Sequence, residues 1–139
     1  MADAPLRLQV AADLGALEPT RLAVLNYLQP QAPSARALYA IELVLEEVLS
    51  NQIKYASAGT AEPDIELTLR LEPGTVLLHF EDSGVAFDPL RAAAPLPPAS
   101  IDVAPIGGLG LVLVRKFASS TSYQRRAGRN CLTIGVALA

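Results

Sequence analysis

Apolar and polar positions alternate at the start of the chain. Leu6, Leu8 and Val10 stand against Arg7 and Gln9, the period of a strand with one buried face. The period then lengthens. Leu22, Leu25 and Leu28 fit a helix over Leu17 to Leu28, and Pro19 suits its first turn, where a missing N–H costs no intrahelical bond. Pro30 and Pro33 interrupt. Ser34 then offers a side-chain oxygen to the free N–H groups of a second helix, about Ala35 to Ala56, on which Leu38, Ile41, Leu45, Val48 and Ile53 make one apolar stripe. Gly59 ends that segment.

Alternation returns at Ile65, Leu67, Leu69 and Leu71, with Glu66, Thr68 and Arg70 on the other face. Pro73-Gly74 reads as a turn and Val76 to Phe80 as the returning arm of a hairpin. Phe87-Asp88-Pro89 leads into a Pro/Ala-rich stretch from Leu90 to Pro105 without a period, a length typical of a lid, a binding loop or a disordered segment. Gly108 to Ser119 fits a helix, with Leu111, Val114, Phe117 and Ala118 spaced for burial. Thr121 to Arg125 and Asn130 to Leu138 close the chain as a hairpin around Ala127-Gly128. Hairpins dominate this order. The expected fold class is therefore α+β: a two-layer sandwich of a mixed but mostly antiparallel sheet with helices on one face.

Composition narrows the function classes. The 139 residues suit one domain spanning 1–139, and 51% hydrophobic with 18% charged residues is a globular balance. A net charge of -3 without a long basic run argues against nonspecific nucleic-acid binding. Arg125, Arg126 and Arg129 read as a solvated hairpin rather than a phosphate track. With Cys131 as the single cysteine, no intramolecular disulfide is possible. Met1 to Val10 lacks a signal pattern and no apolar run is long enough for a bilayer, so a cytoplasmic protein without a membrane partner is expected. His79, the single histidine, reads as an outward-facing strand residue, Cys131 as a small apolar strand residue, and Tyr39 and Tyr55 as packing or interface residues.

Three polar islands remain. Glu47 and Asn51 lie one turn apart on a helix flank shared with Lys54. A carboxylate there can orient a hydroxyl and accept its proton, and an amide oxygen is a hard ligand suited to Mg²⁺; an exposed polar flank is the bland alternative. Asp82 ends a strand, two residues before Gly84. It can accept from an exocyclic amine, or it can simply begin an Asp-Ser-Gly turn. Gly107-Gly108-Leu109-Gly110 at a helix start offers N–H groups to a phosphate, or serves packing. The last island lacks the Gly-Lys-Ser/Thr of a P-loop and the third glycine of a dinucleotide fingerprint.

In order and context, the three islands resemble the boxes of the histidine-kinase-like ATPase fold. The short form most similar is the bacterial anti-sigma factor serine/threonine kinase family, and the resemblance covers Ala35 to Leu138. It implies Glu47 as general base and Asn51 as the Mg²⁺ ligand. Asp82, with Gly84 and Ala86, would form the adenine-binding box, and Gly107, Gly108, Leu109, Gly110 and Leu111 the phosphate-side box. Residues 90–106 would be the ATP lid. Lys54 and Arg115 are candidate phosphate contacts. Ala86 stands where the family pattern has a second glycine; its methyl group is tolerable at negative φ and costly at positive φ. The implied function is Mg-ATP-dependent phosphorylation of a STAS-type antagonist by a kinase that also sequesters a sigma factor, with a possible homodimer through the first strand and helices. The alternatives are a regulatory binding module with weak or lost catalysis, and the ATP-binding domain of a split sensor kinase.

Overall fold

The computed structural model describes residues 4–55, 64–89 and 114–139. Five strands, β1 (Leu6–Val10), β2 (Ile65–Glu72), β3 (Thr75–Asp82), β4 (Ser120–Arg126) and β5 (Arg129–Ala137), form one sheet in the order β1-β2-β3-β5-β4. Two helices, α1 (Leu17–Leu28) and α2 (Ala35–Tyr55), come between β1 and β2. The architecture is α+β with two layers. Every described strand pairing is antiparallel, in keeping with the mostly antiparallel sheet expected.

Register explains the layering. Leu67 faces Phe80, which faces Leu132, while Leu69 faces Leu78, which faces Ile134. Because side chains alternate across a strand, these residues share one face. All are at most 4% exposed. The α2 stripe of Ile41, Val44, Leu45, Val48, Leu49 and Ile53 lies in the same core, joined by Val24 and Leu28 of α1. Each such side chain contributes about 1.5–3 kcal/mol on burial, so the face of α2 opposite its charges is fixed on the sheet.

The helix and turn signals act as read. The Ala37 N–H donates to Ser34 Oγ at 3.0 Å, and the Ser34 N–H donates to the Leu138 carbonyl at 2.9 Å, tying the cap of α2 to the chain after β5. Gly74 (φ 71°) closes the β2–β3 hairpin, and Ala127 (φ 52°) with Gly128 (φ 76°) closes β4–β5. Residues 114–117 are helical, with Val114 buried. That helix stops two residues before the expected Ser119, because the Ser119 N–H is taken by the Gly135 carbonyl at 2.8 Å and the chain joins the sheet. Gly59, the lid and residues 107–111 lie outside the described residues.

Candidate functional site

On α2, Val48, Asn51, Gln52 and Tyr55 are spaced at three, four and seven residues, so they lie on one side of the helix. That side faces the ends of β3 and β5. Asp82, last in β3, has the same alternation phase as Phe80, and its register partner is Asn130 on β5. A cavity opens between these elements. Val48, Tyr55, Phe80, Val85, Phe87, Pro89 and Leu132 supply its apolar walls, and Asn51, Gln52, Asp82, Tyr123 and Asn130 its polar groups. Tyr55 and Phe87 pack together with ring centroids 5.4 Å apart.

Asp82 is held from three directions. Its Oδ1 accepts from the Gly84 N–H and from Asn130 Nδ2, both at 2.9 Å, and its Oδ2 accepts from Gln52 Nε2 at 3.0 Å. A carboxylate has about four acceptor directions, so Oδ2 keeps room for an incoming donor. Asn130, 6% exposed, is fully engaged: Nδ2 also donates to the Val85 carbonyl at 2.9 Å, and Oδ1 accepts from the Phe87 N–H at 3.1 Å and from the Tyr123 hydroxyl. These partners fix its amide orientation. Arg125 Nη1 donates to the Gly84 carbonyl at 2.8 Å, so β4, β5 and the turn after β3 are locked together.

Two buried polar atoms in this region, Asn51 Nδ2 and Gln52 Oε1, lack partners among the described residues. An unpaired buried polar group costs about 1–3 kcal/mol, and both residues line the cavity. Apolar walls, a held carboxylate and an unpaired acceptor suit a flat heteroaromatic ring carrying an exocyclic amine. The donor set at Asn51 also fits a hydrated Mg²⁺ and its phosphates: the amide supplies one hard oxygen, and its unpaired nitrogen can donate to a phosphate oxygen.

The other sequence-derived residues distribute as follows. Glu47 is half-buried one turn before Asn51, outside the described cavity lining. Burial raises its carboxyl above the usual range, with repulsion from Glu46 adding to the effect. Lys54 is exposed, its Nζ 5.8 Å from the Tyr55 ring centroid. Arg115 is exposed on the helical turn at 114–117. Gly84 is buried beside Asp82, and Ala86 is exposed with a φ that is not positive, so its methyl group meets no backbone strain. Gly107, Gly108, Leu109, Gly110 and Leu111 fall outside the described residues.

The basic hairpin is not a merely solvated cluster. Arg129 pairs with Asp64 at 2.9 Å and with Glu66 and Glu81 at 3.0 Å. His79 faces outward as expected, on the sheet face away from α2. Cys131 is buried at 4% exposure yet belongs to that same outer face, as the register partner of Glu81, rather than to the apolar core. Gln52, Tyr123 and Asn130 were missed as site residues. A signal existed for two of them: Gln52 falls four residues after Val48 on the core stripe, and Asn130 falls in the alternation phase of Leu132 and Ile134. Each is a polar residue where the pattern asks for an apolar one.

Residues 10–136 match the histidine kinase-like ATPase domain family. The serine/threonine-protein kinase BtrW of Bordetella bronchiseptica is 42% identical over 101 residues, 73% of this chain and 71% of that one. Among solved structures, the RsbU and RsbW domains of Rv1364c from Mycobacterium tuberculosis superpose with a TM-score of 0.68 at 16% identity, over 98% of this chain and 33% of that one. A chain of the SiaB–SiaC complex from Pseudomonas aeruginosa gives 0.66 at 20% identity, over 94% and 88%. At these identities the structural likenesses show a shared fold.

Proposed function

The chain belongs to the histidine kinase-like ATPase domain family, and on that premise we propose that it is a cytoplasmic anti-sigma-type serine/threonine kinase that binds Mg-ATP in the Asp82 cavity. Asp82, held by Gly84, Gln52 and Asn130, is the observation that carries this reading. Its remaining lone pair accepts from the adenine 6-amino group, and Val48, Phe80 and Leu132 enclose the ring and exclude water. Asn51 would hold Mg²⁺, and Lys54 and the Gly107–Leu111 box are the candidate phosphate contacts. When bound there, Mg²⁺ would supply positive charge to offset that of the phosphates.

Phosphoryl transfer then needs an oriented nucleophile. Glu47 accepts the proton of a serine or threonine hydroxyl as its oxygen bonds to the γ-phosphorus and the bond to the β-phosphate oxygen breaks, releasing ADP. A carboxyl with a raised pKa is a stronger base once ionised, which suits that role. The acceptor is a STAS-type antagonist protein. The unmodified antagonist competes with a sigma factor for the kinase, and phosphorylation frees the kinase to hold the sigma factor. A homodimer through β1 and the helices belongs to the same proposal.

The test is phosphotransfer from Mg-ATP to a purified STAS-type antagonist protein from the same organism. The wild type is expected to transfer, and Glu47→Ala to lose about 10²–10⁴-fold in rate. ATP binding without transfer by the wild type would instead favour a regulatory binding module. The backbone at Ala86, strain-free in this structure, removes one reason for preferring that second reading.

A further inference from the structure

On the sheet face away from α2, His79 and Glu81 stand two residues apart on β3, and Cys131 is the register partner of Glu81 on β5. Spacing of two on a strand, plus direct cross-strand pairing, puts all three on one face. One ligand atom from each lies within 4.8 Å of the other two.

Two of these ligands are oriented by groups outside the cluster. Thr133 Oγ1 engages His79 Nδ1 at 2.7 Å, which leaves Nε2 turned to Glu81 Oε1 at 2.8 Å. Arg129 Nε donates to Glu81 Oε2 at 3.0 Å, which leaves Oε1 free of it. Metal-binding imidazoles and carboxylates are held by outer partners of this kind. Asp64 and Glu66 share the Arg129 charge, so the guanidinium does not face the cluster uncompensated. The Glu81 carboxyl is lowered below its usual range, chiefly by the His79 hydrogen bond; burial opposes this, and Arg129 lowers it further.

We propose that His79, Glu81 and Cys131 form a three-ligand Zn²⁺ site, separate from the Asp82 cavity and on the opposite face of the sheet. One thiolate, one imidazole and one carboxylate suit Zn²⁺, whereas Mg²⁺ and Ca²⁺ prefer oxygen alone. The fourth tetrahedral position is left for water or a side chain of another protein. His79 and Glu81 side chains are 27% and 26% exposed, so the ion enters past them and reaches the shielded sulfur beneath. Binding replaces the proton between Nε2 and Oε1 with the metal and releases the thiol proton. This site does not depend on the nucleotide reading.

Cobalt substitution provides the test. A thiolate-to-Co²⁺ charge-transfer band in the near ultraviolet requires a sulfur ligand, and the sequence holds a single cysteine and a single histidine. Untagged full-length chain titrated with Co²⁺ is expected to develop that band, and Zn²⁺ to erase it. Cys131→Ser abolishes the band, and Thr133→Val, which touches no metal, weakens Zn²⁺ affinity roughly 10–100-fold in competition with a chromophoric chelator. Circular dichroism confirms that each variant is folded. A folded wild type without the band, or Cys131→Ser with wild-type Zn²⁺ affinity, overturns the proposal.

Discussion

Asn130 donates from Nδ2 to Asp82 Oδ1 at 2.9 Å across the β3–β5 ladder, and the same amide receives the Phe87 N–H on its oxygen. One buried side chain thus aims the carboxylate and shapes the turn that walls the cavity.

Asn130→Ala leaves Asp82 Oδ1, the Val85 carbonyl and the Phe87 N–H each one partner short. Stability is expected to fall by about 1–3 kcal/mol, read as a lower urea midpoint with an unchanged slope. Nucleotide affinity falls with it, because Asp82 is no longer held.

Gln52→Leu separates stability from recognition. Leucine meets the apolar stripe of α2 and removes the unpaired Oε1, so the melting temperature is expected to stay level or rise. The Asp82 Oδ2 contact at 3.0 Å is lost. ATP affinity is expected to fall by about 1 kcal/mol, roughly fivefold, with less discrimination against GTP. Calorimetry with both nucleotides checks this.

Most of the framework was legible in the chain. The strand register follows from strict alternation at Ile65 to Leu71 and from the turns at Gly74 and Gly128, and α2 follows from Ser34 and the Ile41–Val48 stripe. Local pattern also placed Glu47 and Asn51 on one flank of α2 and Asp82 at the end of β3, while their candidate roles came from the family resemblance. What stayed hidden was long-range pairing. Gln52 meets Asp82 across 30 positions and Asn130 meets it across 48; only the sheet order brings them together. The outer-face position of Cys131 follows from the alternation of Leu132 and Ile134, but its place beside Glu81 and His79 was hidden likewise, because only the β3–β5 pairing brings them together.

Glu47 carries a pH signature. Its folded pKa is raised from 4.5, so the native state holds the proton more tightly than the unfolded chain. The resulting stability is present below pH 4.5 and is lost as pH rises through the folded value. Glu47→Gln is therefore expected to be more stable than wild type at neutral pH, with the difference vanishing in acid. The acid limb of the wild-type phosphotransfer profile is expected above 4.5 and absent from the residual activity of Glu47→Gln. Urea unfolding across pH and initial rates across pH check the two halves.

Ala127 adopts φ 52° in the β4–β5 turn, followed by Gly128 at φ 76°. A methyl-bearing residue is strained in that region, whereas Asn-Gly favours two successive positive φ values. Ala127→Asn is expected to stabilise by about 0.5–1 kcal/mol, seen as a higher thermal midpoint without change in ATP affinity.

The central claim is that Asp82 reads the base of a bound ATP. Calorimetric titration of wild type and Asp82→Asn with Mg-ATP, each verified as folded, tests it most directly. Saturable binding by the wild type and a loss of about 10–100-fold in the variant, the worth of a hydrogen bond to a charged group, is the expected result. Equal affinities, or no binding by the folded wild type, would contradict it.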